Sequence, residues 1–409
     1  MKKKITLRLF SAFAGIDTQY MGALRYHEYH NHHNDGCLIE FKLVGWCEID
    51  EYAIKSHNVL FPEAKELHYP DITKIEWSKV PDFDILVYSS CCQSISRAGA
   101  QKGMTEGSGT PSSLIWYVRE AIKIKRPKFC ILENVPALLE SKFEGQFEKW
   151  TNTVAKFGYR NTWSTLCAAD FGVPQNRNRV FLVSVRNDIE KKIYFPTPIG
   201  CEVSAEALLD SNVDKKYYFS EEVATAFVLS INDKKVVDKD LPQIHVKGKC
   251  VKKIITPSCK RYDFHVCPTL VADKNYSKVS YYKILSSTHY PRPGVLEVWR
   301  SPEKVKVPYN ELISKSFNET KRKFKIINAS KYDIIDLTKN LNRGEYLRFR
   351  RLTPSECFRL MGVNEENIIK LTSSGVPEGQ LYKMAGNAIV VDTLFYLYKS
   401  LFSDIHEWY

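Results

Sequence analysis

The stretch that decides the fold is FDILVYSSCCQSISR, residues 83–97. Its first half, from Phe83 to Tyr88, is a short apolar run that predicts a buried β-strand. Its second half is small and polar and contains two adjacent cysteines, Cys91 and Cys92. Ligands of open α/β sheets bind at the carboxyl ends of the strands. The pattern therefore places a thiol where a functional site is expected.

The second cysteine has two interpretations. An isolated cysteine is more often a small buried hydrophobe than a reactive group. Here Cys92 is followed by Gln93, Ser94 and Ser96, and then by Arg97. A polar loop with a flanking cation can lower a thiol pKa and leave the sulfur accessible, as a nucleophile requires. Cys92 is therefore a candidate nucleophile, and the other stretches must decide between the two interpretations.

The bulk composition predicts a soluble, cytoplasmic protein of one large or two ordinary domains. The chain has 409 residues, of which 44% are hydrophobic, enough for a sizeable core. No apolar run approaches the roughly 20 residues of a membrane span, and the start lacks the features of a signal peptide. The 11 cysteines contain no C-x-x-C spacing, so we expect reduced thiols and no metal site.

The charge is strongly basic, with a formal net charge of +12. Residues 241–306 contain 13 Lys and Arg against 4 Asp and Glu, interleaved with aromatic side chains. This combination is typical of a groove that binds nucleic acid. The alternative is a solvated Lys-rich surface with ordinary strand aromatics.

The first 75 residues predict the entry to a nucleotide-type site. A strand from Ile5 to Phe13 leads through a turn with Gly15 into a helix at Thr18, although a single glycine is a weak signal. Glu48 follows a second strand, where an acid can accept hydrogen bonds from a ribose. Asp50 predicts a helix cap. The His-rich residues 27–36 predict a solvated loop rather than a metal site.

Two further stretches point to the same sheet edge. Glu133 ends the predicted strand that begins at Lys128, which makes it a candidate proton donor near Cys92; a helix cap is the alternative. Arg177 and Arg179, two apart in an extended segment, point the same way and suit a phosphate or a carbonyl oxygen. The glycine-rich residues 99–110 predict either a lid or a plain connection.

Beyond residue 190 the alternation of strands and helices stops. Residues 242–345 are basic and irregular, which predicts a second, smaller, β-rich domain. Regular structure returns with a capping box from Thr353 to Glu356, with Pro354 at the first helical position. Gly386 and Asn387 predict the start of a last apolar helix.

Taken together, these stretches resemble the cytosine-C5 DNA methyltransferase family over about residues 5–185 and 346–400. The stretches that carry the resemblance keep the family's order along the chain: Phe13-Ala14-Gly15, Glu48, Asp71-Ile72, Cys92-Gln93-Ser94-Ile95-Ser96, Glu133-Asn134-Val135, Gln175-Asn176-Arg177-Asn178-Arg179, Arg351-Leu352-Thr353-Pro354 with Glu356-Cys357, and Gly386-Asn387.

The resemblance implies an α/β fold with a doubly wound, mostly parallel sheet that binds S-adenosyl-L-methionine. It divides the chain into a catalytic and cofactor-binding domain (1–189), a target-recognition domain (190–345) and a return segment (346–409). The implied activity is transfer of a methyl group to C5 of a cytosine flipped out of duplex DNA, through a covalent adduct of Cys92 with C6. Restriction-modification or protection of phage or self DNA is the implied role.

The resemblance also implies the site residues. Those with catalytic roles are Cys92, Glu133, Arg177 and Arg179. Those that bind the cofactor are Phe13, Gly15, Ile16, Glu48, Ile49, Asp71, Ile72 and Asn387. Those that bind the substrate are Gln93, Ser94, Ser96, Arg97, Asn134, Gln175 and Thr269. We expect a monomer, and whether a cognate restriction endonuclease acts separately stays open.

Two positions depart from the family pattern. Cys91 stands where the family usually has a proline, and Asp17 with Thr18 stands where a second glycine is usual. The alternatives are a tRNA cytosine-C5 methyltransferase and a catalytically weak DNA-binding relative.

Overall fold

The protein is described by a computed structural model. It describes residues 3–33, 36–96, 100–203, 205–218, 252–255, 267–268, 294–300 and 345–408. The strands are β1 (Lys3–Ala12), β2 (Cys37–Cys47), β3 (His68–Tyr69), β4 (Ile85–Tyr88), β5 (Phe129–Asn134), β6 (Tyr159–Cys167), β7 (Gln175–Asn176), β8 (Asn178–Arg186), β9 (Lys252–Ile255), β10 (Cys267–Pro268), β11 (Gly294–Arg300) and β12 (Glu345–Arg351). The helices are α1 (Thr18–His33), α2 (Glu51–Leu60), α3 (Ile115–Lys125), α4 (Ser141–Lys156), α5 (Pro354–Arg359), α6 (Glu365–Thr372), α7 (Glu378–Asn387), α8 (Val391–Phe402) and α9 (Ile405–Trp408).

Seven strands form the central sheet, in the order β3-β2-β1-β4-β5-β8-β6. The pairs from β3 to β5 are parallel, and β8 runs antiparallel to both β5 and β6. The strand order reverses between β1 and β4, so the loops after these two strands diverge and leave a crevice at their carboxyl ends. The predicted doubly wound, mostly parallel sheet is confirmed.

Apolar side chains cover both faces of the sheet. On one face, Leu7 and Leu9 of β1 pack with α1, α2 and the helices of the return segment. On the other, Phe10 and Leu86 pack with α3 and α4, around Trp150. Period-2 alternation along β1 sends its side chains into both cores. The helices of residues 354–408 therefore pack directly against the central sheet.

Local signals that the sequence carries are confirmed at several element ends. Asp50 caps α2, with its side chain accepting hydrogen bonds from the amides of Tyr52 and Ala53. Thr353 and Glu356 form the reciprocal capping box of α5, with Pro354 in the first turn. These signals are local because each cap involves atoms only two or three residues apart.

Two local predictions are wrong. The His-rich stretch is not a loop, since α1 continues to His33, and His30 is buried beside the hydroxyl of Tyr26 and the thiol of Cys37. Gly386 and Asn387 do not begin the last helix. They end α7, and the chain is extended at Ala388 before α8.

The described part of residues 190–345 contacts the return segment. The side chain of Asp210 accepts a hydrogen bond from Thr353 Oγ1 at 2.8 Å, and the hydroxyl of Tyr217 donates to Glu378 at 2.7 Å. Strands β9, β11 and β12 form an antiparallel sheet, and β12 leads directly into α5. Among the described helices, none has the length and apolar character needed to cross a membrane.

Candidate active site

The carboxylate of Glu133 is held from two sides. Ser89 Oγ donates to Glu133 Oε2 at 2.5 Å, and Arg179 Nε lies 2.9 Å from Oε1. The strand register explains both contacts. Ser89 follows β4, which pairs with β5, and Arg179 is the diagonal neighbour of Glu133 across the β5–β8 ladder. Glu133 is only 5% exposed, so its carboxyl group has a fixed orientation at the carboxyl end of β5.

Cys92 belongs to the same group. Burial raises the pKa of the Cys92 thiol, while the charge of Arg179 lowers it, the carboxylate of Glu133 raises it and Arg177 lowers it. The expectation of a thiol with a lowered pKa is therefore wrong. The flanking cation on which that expectation rested, Arg97, lies outside the described residues. The cations that act on the sulfur instead come from β8 and the residue before it.

The loop after Cys92 is fastened to α3, α4 and the turn before α3. Ser112 Oγ accepts from the amide of Ser94 at 3.2 Å and donates to the carbonyl of Cys91 at 2.5 Å. Met104 is fully buried, and its backbone bonds to side chains of both helices. Glu106 forms ion pairs with Arg119 and Lys149. The described glycine-rich residues 100–110 are therefore a connection that hydrogen bonds and ion pairs hold against α3 and α4.

The predicted substrate residues of this loop have different environments. Gln93 is exposed, whereas Ser94 is buried, and the amide of Ser96 donates to the carbonyl of Cys92 at 2.7 Å. Asn134, at the end of β5, is buried, and its side-chain amide donates to the carbonyl and hydroxyl oxygens of Ser90. Asn134 thus connects the loop that contains Cys92 to the strand of Glu133.

Gln175 and Arg177 bind the return segment. Gln175 Nε2 donates to the carbonyl of Leu360 at 2.5 Å. Arg177 Nη2 donates to the carbonyls of Gly386 at 2.7 Å and Ala388 at 2.8 Å. These carbonyls lie at the end of α7, where helical carbonyls lack intrahelical partners. Burial lowers the pKa of Arg177, and the charge of Arg179 lowers it further.

A second group of predicted residues lies beyond β1 and β2. The carboxylate of Glu48 accepts hydrogen bonds from three backbone amides, those of Gly15 at 2.9 Å and of Ile49 and Asp50 at 2.8 Å. Phe13 and Gly15 both have left-handed φ angles, of 56° and 59°. A Cβ atom at Gly15 would meet nothing within 4 Å, so the space above this backbone is open.

The remaining predicted cofactor residues differ in exposure. Ile49 is 73% exposed beside Glu48, whereas the side chains of Ile16 and Ile72 are buried. Asp71 accepts hydrogen bonds from the amide and hydroxyl of Thr73, which lower the pKa of its carboxyl group. Asn387 is exposed at the end of α7.

Thr269, the last of the predicted substrate residues, lies outside the described residues. The two residues before it are described as strand β10. This strand pairs in parallel with β7, with Cys267 opposite Gln175 and Pro268 opposite Asn176. The pairing places a segment from the predicted second domain next to the segment of the two arginines.

Sequence reasoning missed several residues that the structure places in the site. Ser89 had a signal, because it is a polar residue directly after the strand that leads to Cys92. Ser112 and Lys383 had none. The Lys383 ammonium group pairs with Asp50 on the side of Glu48. Partial burial raises the pKa of the Cys91 thiol, Glu48 raises it further and Lys383 lowers it.

The fold and these two groups define an α/β protein with a thiol and a held carboxyl group at one sheet edge, next to a second carboxylate that backbone amides hold. The chain belongs to the C-5 cytosine-specific DNA methylase family, which matches residues 7–403. It is therefore a DNA (cytosine-5) methyltransferase, and its family is of the S-adenosylmethionine-dependent class.

Named relatives agree with this assignment, and a solved structure shares the fold. The orphan methyltransferase M.SPRI of Bacillus phage SPR is 27% identical over 448 residues, and the match covers 97% of this chain and 97% of the relative. The type II methyltransferase M2.ScrFI of Lactococcus lactis subsp. cremoris is 32% identical over 337 residues, 82% of this chain and 71% of its own. The Entamoeba histolytica methyltransferase EhMeth shares the fold, with a TM-score of 0.61, 18% identity and coverage of 98% of this chain and 99% of its own. The family description favours DNA over the tRNA alternative.

Proposed function

We propose that this methyltransferase attacks C6 of a flipped cytosine in duplex DNA with the sulfur of Cys92. C5 of cytosine is a poor nucleophile, and addition of a thiolate at C6 makes an enamine whose C5 can accept a methyl group. These atoms are out of reach inside a duplex, so the base must leave the stack. The observation that carries the proposal is the grouping of Cys92 with the Glu133–Arg179 ion pair, whose closest atoms are 2.9 Å apart.

Glu133 is proposed to act on N3 of the ring. As the C6–S bond forms, negative charge develops at N3, and a proton held by the Glu133 carboxyl group neutralises it. Ser89 and Arg179 fix both carboxyl oxygens, so the group needs no reorientation during the reaction. After methylation a water molecule takes the C5 proton, the electron pair of the C5–H bond restores the C5–C6 double bond, and the C6–S bond breaks to release Cys92 as a thiolate. N3 gives its proton back to Glu133, which leaves neutral 5-methylcytosine.

The second group of residues fits the predicted cofactor. A carboxylate for ribose hydroxyls (Glu48), an exposed apolar side chain (Ile49) and an open left-handed turn at a helix N-terminus suit an adenosyl group. We assign Phe13, Gly15, Glu48 and Ile49 to this pocket, with the backbone of Ile16, Asp71, Ile72 and Asn387 around it. When bound there, S-adenosylmethionine supplies the electrophilic methyl group.

Target recognition is proposed to lie in residues 190–345, with residues 1–189 and 346–409 forming the catalytic domain. The basic excess of residues 241–306 favours contact with phosphates, and strand β10 joins this region to the segment of Arg177. We propose a monomer that modifies duplex DNA, either in a restriction-modification pair or as an orphan protective enzyme.

The test is a covalent trap. DNA with 5-fluorocytosine cannot lose a proton from C5, so the wild-type protein with S-adenosylmethionine should form a stable adduct visible as a shifted band. Cys92→Ala should form none, and Cys91→Ala, the matched control, should still form it. An adduct with Cys92→Ala and none with Cys91→Ala would overturn the assignment of the nucleophile.

The substrate is tested separately with labelled cofactor. Methyl transfer to duplex DNA and not to tRNA is expected, and bisulfite sequencing of DNA from cells that express the protein should show methylated cytosines at one recurring sequence. Methyl transfer to tRNA alone would show that duplex DNA is not the substrate.

A further inference from the structure

Asp17 is a buried acid that the proposed chemistry does not use. It is fully buried, and its Oδ1 accepts hydrogen bonds from Ser11 Oγ at 2.6 Å and from the amide of Tyr20 at 3.0 Å. Its Oδ2 lies 3.3 Å from Nε2 of His57, which is also fully buried. A buried carboxylate is costly unless it is paired and hydrogen-bonded, and these three donors satisfy that need.

Asp17 also has the backbone conformation that its position requires. Its φ is +57°, so the turn before α1 has left-handed residues at Phe13, Gly15 and Asp17. Aspartate is among the few side chains that tolerate this region, because it can bond to nearby backbone. Through the amide of Tyr20 it also caps α1. Asp17 thus holds a backbone conformation that glycine adopts readily, and its buried carboxyl group needs hydrogen-bond partners.

The partner, His57 of α2, is held mainly by stacking. Its ring lies 3.6 Å from that of Trp46, with the planes at 11°. Trp46 also stacks with His68, with ring centroids 4.1 Å apart. A bulge at Val44 makes this possible, because Leu9 pairs with Leu43 but Phe10 pairs with Gly45. The extra residue shifts the alternation of β2 and turns Trp46 towards α2.

The contacts return to the carboxylate proposed to bind the ribose. His68 Nε2 lies 2.9 Å from the carbonyl of Glu48, and Glu48 Oε2 accepts from the amide of Gly15. Two residues later the chain reaches Asp17, whose amide donates to the carbonyl of Ala14. A closed ring of contacts therefore surrounds the turn and includes Glu48.

We propose that Asp17 and His57 are positioning residues for the cofactor, which set the shape of the turn and the place of Glu48. The inference rests on the proposed cofactor site. A carboxylate can only accept, so Nε2 of His57 carries the proton. Nδ1 of His57 has no hydrogen-bond partner among the described residues, which leaves Asp17 as the polar contact that orients the ring.

The experiment measures cofactor binding by calorimetry on the full chain, with S-adenosylmethionine as the probe. His57→Phe keeps a stacking ring but leaves Asp17 Oδ2 without its donor, so the dissociation constant should rise about tenfold or more. The double variant Asp17→Gly/His57→Phe removes the charge together with its partner and should recover part of that loss. His33→Phe, at the exposed end of α1, is the matched control and should bind as the wild type does.

Kinetics separate positioning from general damage. The KM for the cofactor should rise with the dissociation constant, while kcat at saturating cofactor and the KM for DNA stay within about threefold. Should His57→Phe fail to fold, His57→Gln retains a donor for Asp17 without the aromatic stack, and we expect a smaller rise of about threefold.

Three outcomes would overturn the inference. One is a folded His57→Phe variant that binds the cofactor as tightly as the wild type. Another is a double variant whose fold-loss of affinity equals the product of the losses of the two single variants, since independent sites contribute additively to the free energy. The third is no calorimetric binding by the wild type, in which case the proposed cofactor site falls too. Normal wild-type binding with an unaffected His57 variant would reject the positioning role alone.

Discussion

The two carboxylates at this edge of the sheet, Glu133 and Glu48, are held in different ways. On the side of Glu133, side chains hold side chains, because Ser89 and Arg179 bind the two carboxyl oxygens. On the side of Glu48, backbone amides hold the carboxylate, and three of them converge on it. A site of the first kind depends on the chemical identity of each partner, whereas one of the second kind depends on the path of the chain.

The adjacent cysteines divide between these sides. The thiol of Cys92 is under the influence of Arg179, Glu133 and Arg177, and burial is the largest effect on its pKa. Cys91 is partly buried, and besides its sequence neighbours Gln93 and Cys92 the groups that act on the pKa of its thiol are Glu48 and Lys383. One peptide bond thus separates a thiol on the side of Glu133 from a thiol on the side of Glu48. Substitutions on the two sides should therefore have separable effects.

The largest effect of a substitution is expected on the side of Glu133. Glu133→Gln removes the proton that neutralises N3 and the ion pair with Arg179, so kcat should fall by about 10²–10⁴-fold. Cofactor affinity, measured by calorimetry, should stay unchanged, and Glu144→Gln on the exposed face of α4 is the control. A loss of less than about tenfold would remove Glu133 from the proton transfer.

On the side of Glu48, the substitution Glu48→Ala should weaken binding of S-adenosylmethionine by about ten- to a hundredfold. The three backbone amides, and the ribose in the proposed site, would lose their hydrogen-bond acceptor. At saturating cofactor, kcat should change little. Glu51→Ala, an exposed neighbour in α2, is the control. If kcat fell as far as in Glu133→Gln, the two sides would not be separable.

An intermediate effect concerns pH. Burial raises the pKa of Cys92, so its thiolate fraction and its rate of alkylation by iodoacetamide should rise as the pH rises. Arg179 lowers that pKa, so Arg179→Gln should move the midpoint of the profile to higher pH by about one unit. Peptide mass spectrometry distinguishes Cys92 from Cys91, and Arg186→Gln serves as the control. A midpoint at lower pH would contradict the assigned influence of Arg179.

The smallest effect is expected in the loop after Cys92. Glu106 pairs with Arg119 and Lys149 at the surface, and partly exposed ion pairs contribute less than about 1 kcal/mol. Glu106→Gln should shift the urea midpoint only slightly, because buried Met104 anchors the same loop. A destabilisation above about 2 kcal/mol would show that the ion pairs are the main anchor.

Much of the fold could be predicted because its signals are local. The apolar run before Cys92, the cap at Asp50 and the capping box at Thr353 each involve neighbours in sequence. The wrong predictions at His33 and Gly386 have a different origin. His30 is held in its helix by Cys37 of a strand, and the end of α7 is held by Arg177, which is 209 residues away from Gly386.

By itself, the sequence determined the order of the site stretches and the candidate groups Cys92, Glu133 and Glu48, and the family resemblance of those stretches implied the doubly wound class. Strand periodicity and caps require only short segments, and for this reason they can be seen before folding. Only the tertiary structure decided that the Cys92 pKa is raised, that Arg177 binds the return segment and that Asp17 faces His57. These properties depend on burial and on contacts between distant segments, which exist only after the sheet and its two layers have assembled.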